Sequence, residues 1–319
     1  TKIYFGKDHE FLRPKGVISY KVLFPKNKIN AKHRAFLKIY IECVRESMNE
    51  VGFPARLAGL SYSLFDGYEG IYLTVIGYTE SAIKLYTIML NNMKNIEISN
   101  EKFLAIKDKI IRGYENIPLS DAYQQAREKN AEIYHNVKFN WDELAPIAEA
   151  ATMKNIKDYG ESLFSEIAVE GFIYGDFEEK DARKTLRLFK EKTGYKGISR
   201  SDAFELKFLN QKNPEIVQYV DSLKVNNSCF WREYQVGLDT PELRAKSIVI
   251  GKAIQQPFYT EMRTNQQLGY IVWSNVFNRD DLYFLSFAIQ SGAYPADELN
   301  TRADKYISSL PEYIKSMDS

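Results

Sequence analysis

Hydrophobic and polar residues alternate along this chain in a pattern that predicts strands between long helices. Val17 to Phe24 reads VISYKVLF, rich in the β-branched and aromatic residues that strands favour. A helix is predicted next, from about Ala31 to Glu50, because its apolar residues recur at the three- and four-residue spacing of one helical face. Two further strand-like runs, Gly59 to Phe65 and Ile71 to Tyr78, flank the turn-forming sequence DGYEG. A helix over about Ser81 to Met93 follows them.

A block of helices comes next, marked by residues that commonly cap helix N-termini. Asn140 is followed by Glu143 at the spacing of a capping box, in which each side chain bonds the other residue's backbone N–H. The block closes with a predicted strand, Ile167 to Asp176, and a helix over Glu178 to Lys192. The predicted caps of the block are Ser99 or Asn100, Ser120, Asn140 and Thr152.

The segment from Thr193 to Asp202 has no hydrophobic period and carries Gly and Ser, which is typical of a domain boundary. After it the first pattern returns. Thr240 followed by Pro241 predicts a helix start, because proline is favoured at the first helical position. The returning elements are a strand over Asn227 to Leu238, a helix to about Arg263, the strands YIVWSNVF and LYFLSFAIQS, and a helix over about Ala296 to Met317.

This return predicts an internal repeat. The run Leu60 to Tyr62 corresponds to Leu268 to Tyr270, and Tyr72 corresponds to Tyr283. The expected fold class is α+β, a tandem repeat of domains that each pack helices on a mostly antiparallel sheet. We expect residues 1–195 to form a complete domain and residues 196–319 to form a truncated second one, so that the chain ends inside a domain.

Composition narrows the class of protein. Formal charge is only +1, from 43 basic and 42 acidic residues, which argues against a dedicated nucleic-acid binder. No apolar run approaches the roughly 20 residues of a membrane helix, and the first residues lack a signal-peptide pattern and a starting Met. Cys43 and Cys229 are expected to be buried free thiols rather than a disulfide framework. A cytoplasmic location is favoured, although this cysteine content also permits others.

The chain lacks a complete catalytic motif. Its three histidines, His9, His33 and His135, do not have the HExxH or HxxEH spacing that places two imidazoles on one zinc ion. GxSxG, the P-loop and GxGxxG are also absent from the sequence. We therefore expect no catalytic residue and no metal site within this chain.

The stretch RTNQQLGYIVWS places Arg263 and Tyr270 seven residues apart, where a helical pattern gives way to a strand pattern. An arginine fork and a phenolic O–H that converge could bind a peptide carbonyl or a developing oxyanion. Both residue types are common, however. Spacing alone favours the plainer alternative, a helix-end salt bridge beside a packed tyrosine.

Long runs spread over most of the chain resemble the C-terminal half of the insulinase/pitrilysin zinc peptidases. They occur in the order in which the family has them. The runs are FLRPKGVISYKVLFP, the stretch from Glu46 to Tyr78, FIYGD, and FWREYQVGLDT followed by RTNQQLGYIVWS.

The resemblance implies a full-length protein of four related peptidase-like domains in two halves. The N-terminal half would carry an inverted HxxEH zinc site. The C-terminal half, without zinc, would close over it and enclose a chamber that admits peptides. This chain would be the third domain and part of the fourth. Arg263 and Tyr270 match a pair that contacts the substrate near the cleaved bond. Tyr270 would donate to the carbonyl or oxyanion, and Arg263 would hold Tyr270 or a substrate carbonyl.

The function expected from the resemblance is therefore that of the non-catalytic half of a zinc metalloendopeptidase, inactive on its own. Its partners would be the N-terminal half, which supplies the zinc, and peptide substrates, with a homo-oligomer also possible. An alternative is a catalytically dead peptide-binding or scaffold subunit of the same fold. A further alternative is a peptidase whose two halves are separate polypeptides. The sequence of the other half, with or without HxxEH, distinguishes these alternatives.

Overall fold

The computed structural model describes residues 1–210, 216–279 and 281–317. The chain divides into two compact units: unit 1 comprises Thr1–Glu115 and Phe139–Leu206, and unit 2 comprises Asn116–Lys138 and Lys207–Ser319. The strands are β1 (Lys2–Lys7), β2 (Lys15–Leu23), β3 (Ser61–Asp66), β4 (Gly70–Tyr78), β5 (Glu166–Gly175), β6 (Lys196–Gly197), β7 (Ser228–Leu238), β8 (Ile271–Arg279) and β9 (Leu282–Ser291). The helices are α1 (Ala31–Ser47), α2 (Asn49–Leu57), α3 (Thr79–Lys94), α4 (Asn100–Glu115), α5 (Ala122–Tyr134), α6 (Trp141–Ala150), α7 (Met153–Leu163), α8 (Glu179–Thr193), α9 (Pro241–Tyr259) and α10 (Ala296–Lys315).

Unit 1 is built on a sheet with the strand order β1-β5-β2-β4-β3, and β6 pairs with β5. The β2–β5, β2–β4 and β3–β4 pairs are antiparallel, whereas β1 and β6 each run parallel to β5. Helices cover one face, where the rings of Tyr20 and Phe189 stack with centroids 5.6 Å apart. The Tyr20 hydroxyl shares a 2.8 Å hydrogen bond with Thr185 Oγ1, so this phenol is buried with a partner. The α+β class, with a mostly antiparallel sheet, is confirmed.

The helix starts of unit 1 follow local capping chemistry. Asn30 Oδ1 accepts the His33 N–H at 2.9 Å and begins α1. The predicted capping box of Asn140 and Glu143 begins α6, and Thr152 caps α7 as expected. The predicted helix from Ala31 is interrupted at Met48, where α1 ends and α2 follows after one residue.

Unit 2 contains an antiparallel sheet of order β7-β9-β8, the same order as β2-β4-β3 in unit 1. Helices α9 and α10 bury Phe258, Leu299 and other apolar residues against one face of this sheet. Helix α5 packs on the opposite face, where the Tyr134 ring meets Phe284 edge to face at 5.1 Å. The shared strand order supports the predicted repeat.

The compact units differ from the predicted division at residue 195 in two segments. Residues 116–138 belong to unit 2, because α5 buries Ala122 and Tyr134 there. Residues 196–206 belong to unit 1, where β6 extends the sheet and the Phe204 N–H donates to the Phe24 carbonyl at 2.7 Å. The composition of residues 193–202 indicates a loop, but it does not indicate with which sheet the adjoining segments pack. The assignment of a complete and a partial domain stays a prediction.

Candidate functional site

The candidate site begins at the end of helix α9. Thr240 Oγ1 accepts the Leu243 N–H at 3.2 Å and Pro241 occupies the first turn, so the helix starts as the sequence predicts. Its end differs. Pro257 removes one helical N–H donor, and a π-helical turn spans Thr260–Asn265, where a regular helix was expected to about Arg263. The Gln266 N–H donates to the Glu261 carbonyl at 3.0 Å, the five-residue step of a π-helix.

The chain then reverses tightly into β8. Gln267 has φ +52°, a left-handed conformation that costs a non-glycine residue about 1 kcal/mol. The neighbouring Met262 and Leu268 are both buried, so packing holds the turn on each side. A β-carbon at Gly269 would lie 1.9 Å from the Gln290 carbonyl oxygen. Only glycine fits this approach, which explains the glycine just before Tyr270.

The structure brings Arg263 and Tyr270 together. Arg263 Nη1 donates to the Tyr270 backbone carbonyl at 2.9 Å. The Arg263 guanidinium carbon lies 4.4 Å from the Tyr270 ring centroid and 5.1 Å from that of Tyr259. Guanidinium groups stack favourably on aromatic faces, so the two tyrosines and the carbonyl hold this arginine in place.

Tyr270 itself is not packed into the core, since it is 80% exposed. Its backbone is fixed by Arg263 and by the start of β8, while its phenol reaches solvent and could donate one hydrogen bond. In place of the helix-end salt bridge of the plainer alternative, Arg263 bonds a neutral carbonyl. The arrangement is an exposed O–H donor on a rigid base, beside a fixed positive charge.

The other polar candidates are packed groups. Tyr159 Oη lies 3.0 Å from His33 Nδ1, and burial lowers the His33 pKa to about 4. Burial also lowers the pKa of His135, whose ring packs on Phe208 at 4.6 Å. The two cysteines are free, and burial raises both thiol pKa values to about 12. Cys43 is fully buried as expected, whereas Cys229 is half-buried.

The described residues lack two further features, a metal-ligand cluster and a membrane-spanning helix. Over residues 1–210, 216–279 and 281–317, no three His, Cys, Asp or Glu side chains gather as a metal site would need. Within the same ranges, no helix has both the length and the apolar character needed to cross a bilayer.

Sequence reasoning did not single out the uncovered face of the unit 1 sheet. Tyr4 lies in register with Phe172, and Tyr174 lies in register with Val17, with aromatic side chains 43–51% exposed. An open groove of about 460 Å³ at this face is lined by Asp8, Phe11, Arg13, Lys15, Gly16, Val17, Ile76, Tyr174 and Gly175. The signal in the sequence was the run FIYG of β5, which is apolar on both faces of the strand.

Known proteins share this architecture. Residues 1–146 match the family model of the middle or third domain of peptidase M16, and residues 249–319 match the C-terminal lobe domain 4 of PQQ synthase PqqF-like proteins. Human insulin-degrading enzyme is 24% identical over 99% of this chain and 32% of its own length. The chain thus spans about a third of this curated relative.

Solved structures of related peptidases share the fold of this chain. The crystal structure of pitrilysin covers 99% of this chain with a TM-score of 0.80 at 19% identity, over 34% of its own chain. A peptidase M16 inactive domain from Pseudomonas fluorescens covers 99% of this chain with a TM-score of 0.61 at 12% identity, over 77% of its own chain. The fold and the matches together define the class of this chain, which is a pair of α+β units of the type found in metallopeptidases. These findings support the assignment of the chain to the C-terminal half of the insulinase/pitrilysin family, peptidase M16.

Proposed function

We propose that this chain is the non-catalytic C-terminal half of a zinc metalloendopeptidase that cleaves peptides in an enclosed chamber. Residues 1–195 would be its third domain and residues 196–319 part of its fourth. The N-terminal half would supply the zinc and the HxxEH motif that this sequence lacks. The family assignment supports a peptidase parent, and the matched third and fourth domain models support this position in it.

In this proposal Arg263 and Tyr270 bind the peptide at the bond to be cut. One observation carries it: Arg263 is tied to the Tyr270 carbonyl at 2.9 Å, while the Tyr270 side chain stays 80% exposed. A tyrosine whose only role is packing would bury its ring. A donor held ready for an oxyanion must instead be fixed at its base and open at its tip.

The chemistry assigned to the two side chains differs. The Tyr270 hydroxyl would donate a hydrogen bond to the scissile carbonyl, and a stronger one to the oxyanion as negative charge develops. Arg263 would orient Tyr270, and its remaining N–H groups could reach a substrate carbonyl. Removal of one oxyanion donor typically costs about 10²–10³ in rate.

The test is Tyr270→Phe in the full-length protein, which removes one oxygen and keeps the ring over Arg263. We expect kcat/KM for peptide hydrolysis to fall at least about tenfold, with an unchanged circular dichroism spectrum. Tyr313→Phe, at an exposed tyrosine on α10, is the matched control and should cleave like the wild type. Wild-type cleavage by Tyr270→Phe would remove this phenol from the mechanism.

A second function is a catalytically dead peptide-binding or scaffold subunit. The similarity to a structure described as an inactive M16 domain favours it, since that domain shares the fold over most of its own chain. It predicts peptide binding without hydrolysis by the full-length protein. The absence of any chelator-sensitive cleavage in the wild type would therefore select this function.

A further inference from the structure

Gln290 lies on strand β9 at a junction between two segments of unit 2. Its side chain is nearly buried, with 9% of the residue exposed. Its Oε1 accepts the Tyr123 N–H at 3.0 Å, and its Nε2 donates to Asp121 Oδ1 at 3.4 Å. Both partners belong to the N-terminal end of α5, which is far from Gln290 in the chain.

This pair of bonds caps α5 from outside the helix. The first N–H groups of any α-helix have no partner within it, and a side chain at the N-cap position normally accepts one of them. The N-cap residue here, Asp121, makes no such bond with its own helix. The Gln290 side chain supplies the missing acceptor for the Tyr123 N–H and donates a hydrogen bond to the Asp121 carboxylate. One side chain therefore anchors α5 to β9.

The backbone of Gln290 faces the candidate site. In the β8–β9 ladder Gln290 is the Cα partner of Ile271, the residue after Tyr270. Its carbonyl oxygen also occupies the space where a β-carbon of Gly269 would lie, at 1.9 Å. Gln290 therefore contacts the chain immediately before and after Tyr270, while its side chain is tied to α5.

We propose that Gln290 is a positioning residue for Tyr270, acting through the backbone of Gly269 and Ile271, and that α5 is the anchor that holds it. This inference rests on the proposed substrate-binding role of Arg263 and Tyr270. Without the tie to α5, β9 and the Gly269–Ile271 segment can shift together and move the phenol. A misplacement of about 1 Å can cost up to about 10²-fold in rate.

The first test uses Gln290→Leu in the full-length protein, which keeps the side-chain size and removes both hydrogen bonds. We expect kcat/KM to fall about tenfold, mainly in kcat, because positioning of a transition-state donor is lost. Ser286→Ala on the same strand is the control. It removes the 3.2 Å bond from Ser286 Oγ to the Asn275 carbonyl and leaves both Gln290 bonds to the start of α5 in place, so it should leave the rate unchanged.

A double-mutant comparison separates positioning from a general structural role. If Gln290 acts through the Tyr270 phenol, Gln290→Leu should cause no further loss in the Tyr270→Phe background. An equal additional loss there would overturn the inference. Full activity of Tyr270→Phe alone would instead refute the proposed function, and the next measurement decides the inference without reference to activity.

Hydrogen exchange on this chain reports the coupling directly. Gln290→Leu should speed exchange in residues 121–125 and also in residues 268–273, with α10 unchanged. Faster exchange at 121–125 alone would show that Gln290 docks α5 and positions nothing else. In the variant Gln290→Glu, two carboxylates face each other at residues 290 and 121, so exchange should speed up as in Gln290→Leu. Adding Asp121→Asn restores a donor opposite an acceptor and should slow exchange again. Failure of this pair to recover slow exchange at 268–273 would also overturn the inference.

Discussion

At the scale of single residues, Gly269 decides whether Tyr270 can reach its position. A methyl group there would overlap the Gln290 carbonyl oxygen, a backbone atom of the central strand of the sheet, so relieving the overlap requires the backbone to shift. We expect Gly269→Ala to destabilise unit 2 by about 2 kcal/mol, in the range of overpacked cores. An equally stable variant would show that the turn is looser than its geometry indicates.

Urea unfolding measures this change. The fluorescence of Trp231 and Trp273 follows unit 2, whose sheet carries both rings, once Trp141 of unit 1 is replaced by Phe. The matched control is Gly113→Ala on α4, where a β-carbon meets nothing within 4 Å. It should leave the unit 2 transition in place and stabilise unit 1 by about 0.5–1 kcal/mol, because alanine loses less entropy in a helix.

The residue scale also shows what the sequence could predict of the site. Arg263 and Tyr270 were identified by their spacing and by the resemblance, and the structure places them in contact. Their contact geometry was not predictable. It depends on a π-helical turn, which advances the chain by an extra residue and rotates Arg263 away from the position that a regular helix gives it. The bonds between Gln290 and α5 join distant parts of the sequence, and no local pattern signals them.

At the scale of elements, local chemistry predicted most helix starts and strands. The caps at Asn140, Thr152 and Thr240 hold because each bonds a backbone N–H within three residues. By contrast, β1 was not predicted, since it pairs in parallel with β5, which lies far along the chain. Helix α2 was missed because Gly52 and Pro54 lie within it, and both residue types are unfavourable inside helices.

The cap of α9 gives a prediction for an element. Thr240→Ala removes the 3.2 Å bond to the Leu243 N–H at the start of the helix that carries Arg263 at its other end. We expect a loss of about 1 kcal/mol in the free energy of unfolding of unit 2. Thr301→Ala is the control, since the Thr301 hydroxyl only donates to a carbonyl one turn back in α10, at 2.9 Å from Asp297 O. Equal losses in the two variants would deny Thr240 a capping role.

At the scale of the whole molecule, the two units share a strand order but differ in their candidate functional residues. Both units contain the order seen in β2-β4-β3 and β7-β9-β8, but the exposed Arg–Tyr pair belongs to unit 2. A lone donor pair can stabilise an oxyanion, but it cannot activate a water molecule. In the proposed function, the centre that activates the water would come from the N-terminal half. This proposed division of labour predicts metal-dependent cleavage by the full-length protein and none by this chain alone.

Metal analysis and peptide hydrolysis together test whether the metal and the donor pair belong to different halves of the protein. We expect the full-length protein to lose peptide cleavage in a chelator and to regain it with added zinc, because in the proposed function a zinc ion of the N-terminal half would activate the attacking water. The isolated 319-residue chain should neither cleave nor retain zinc after dialysis. Addition of this chain to a separately produced N-terminal half should restore cleavage, and the Tyr270→Phe chain should restore at least about tenfold less. About one tightly held zinc per isolated chain would place the metal in the wrong half and refute the proposed arrangement.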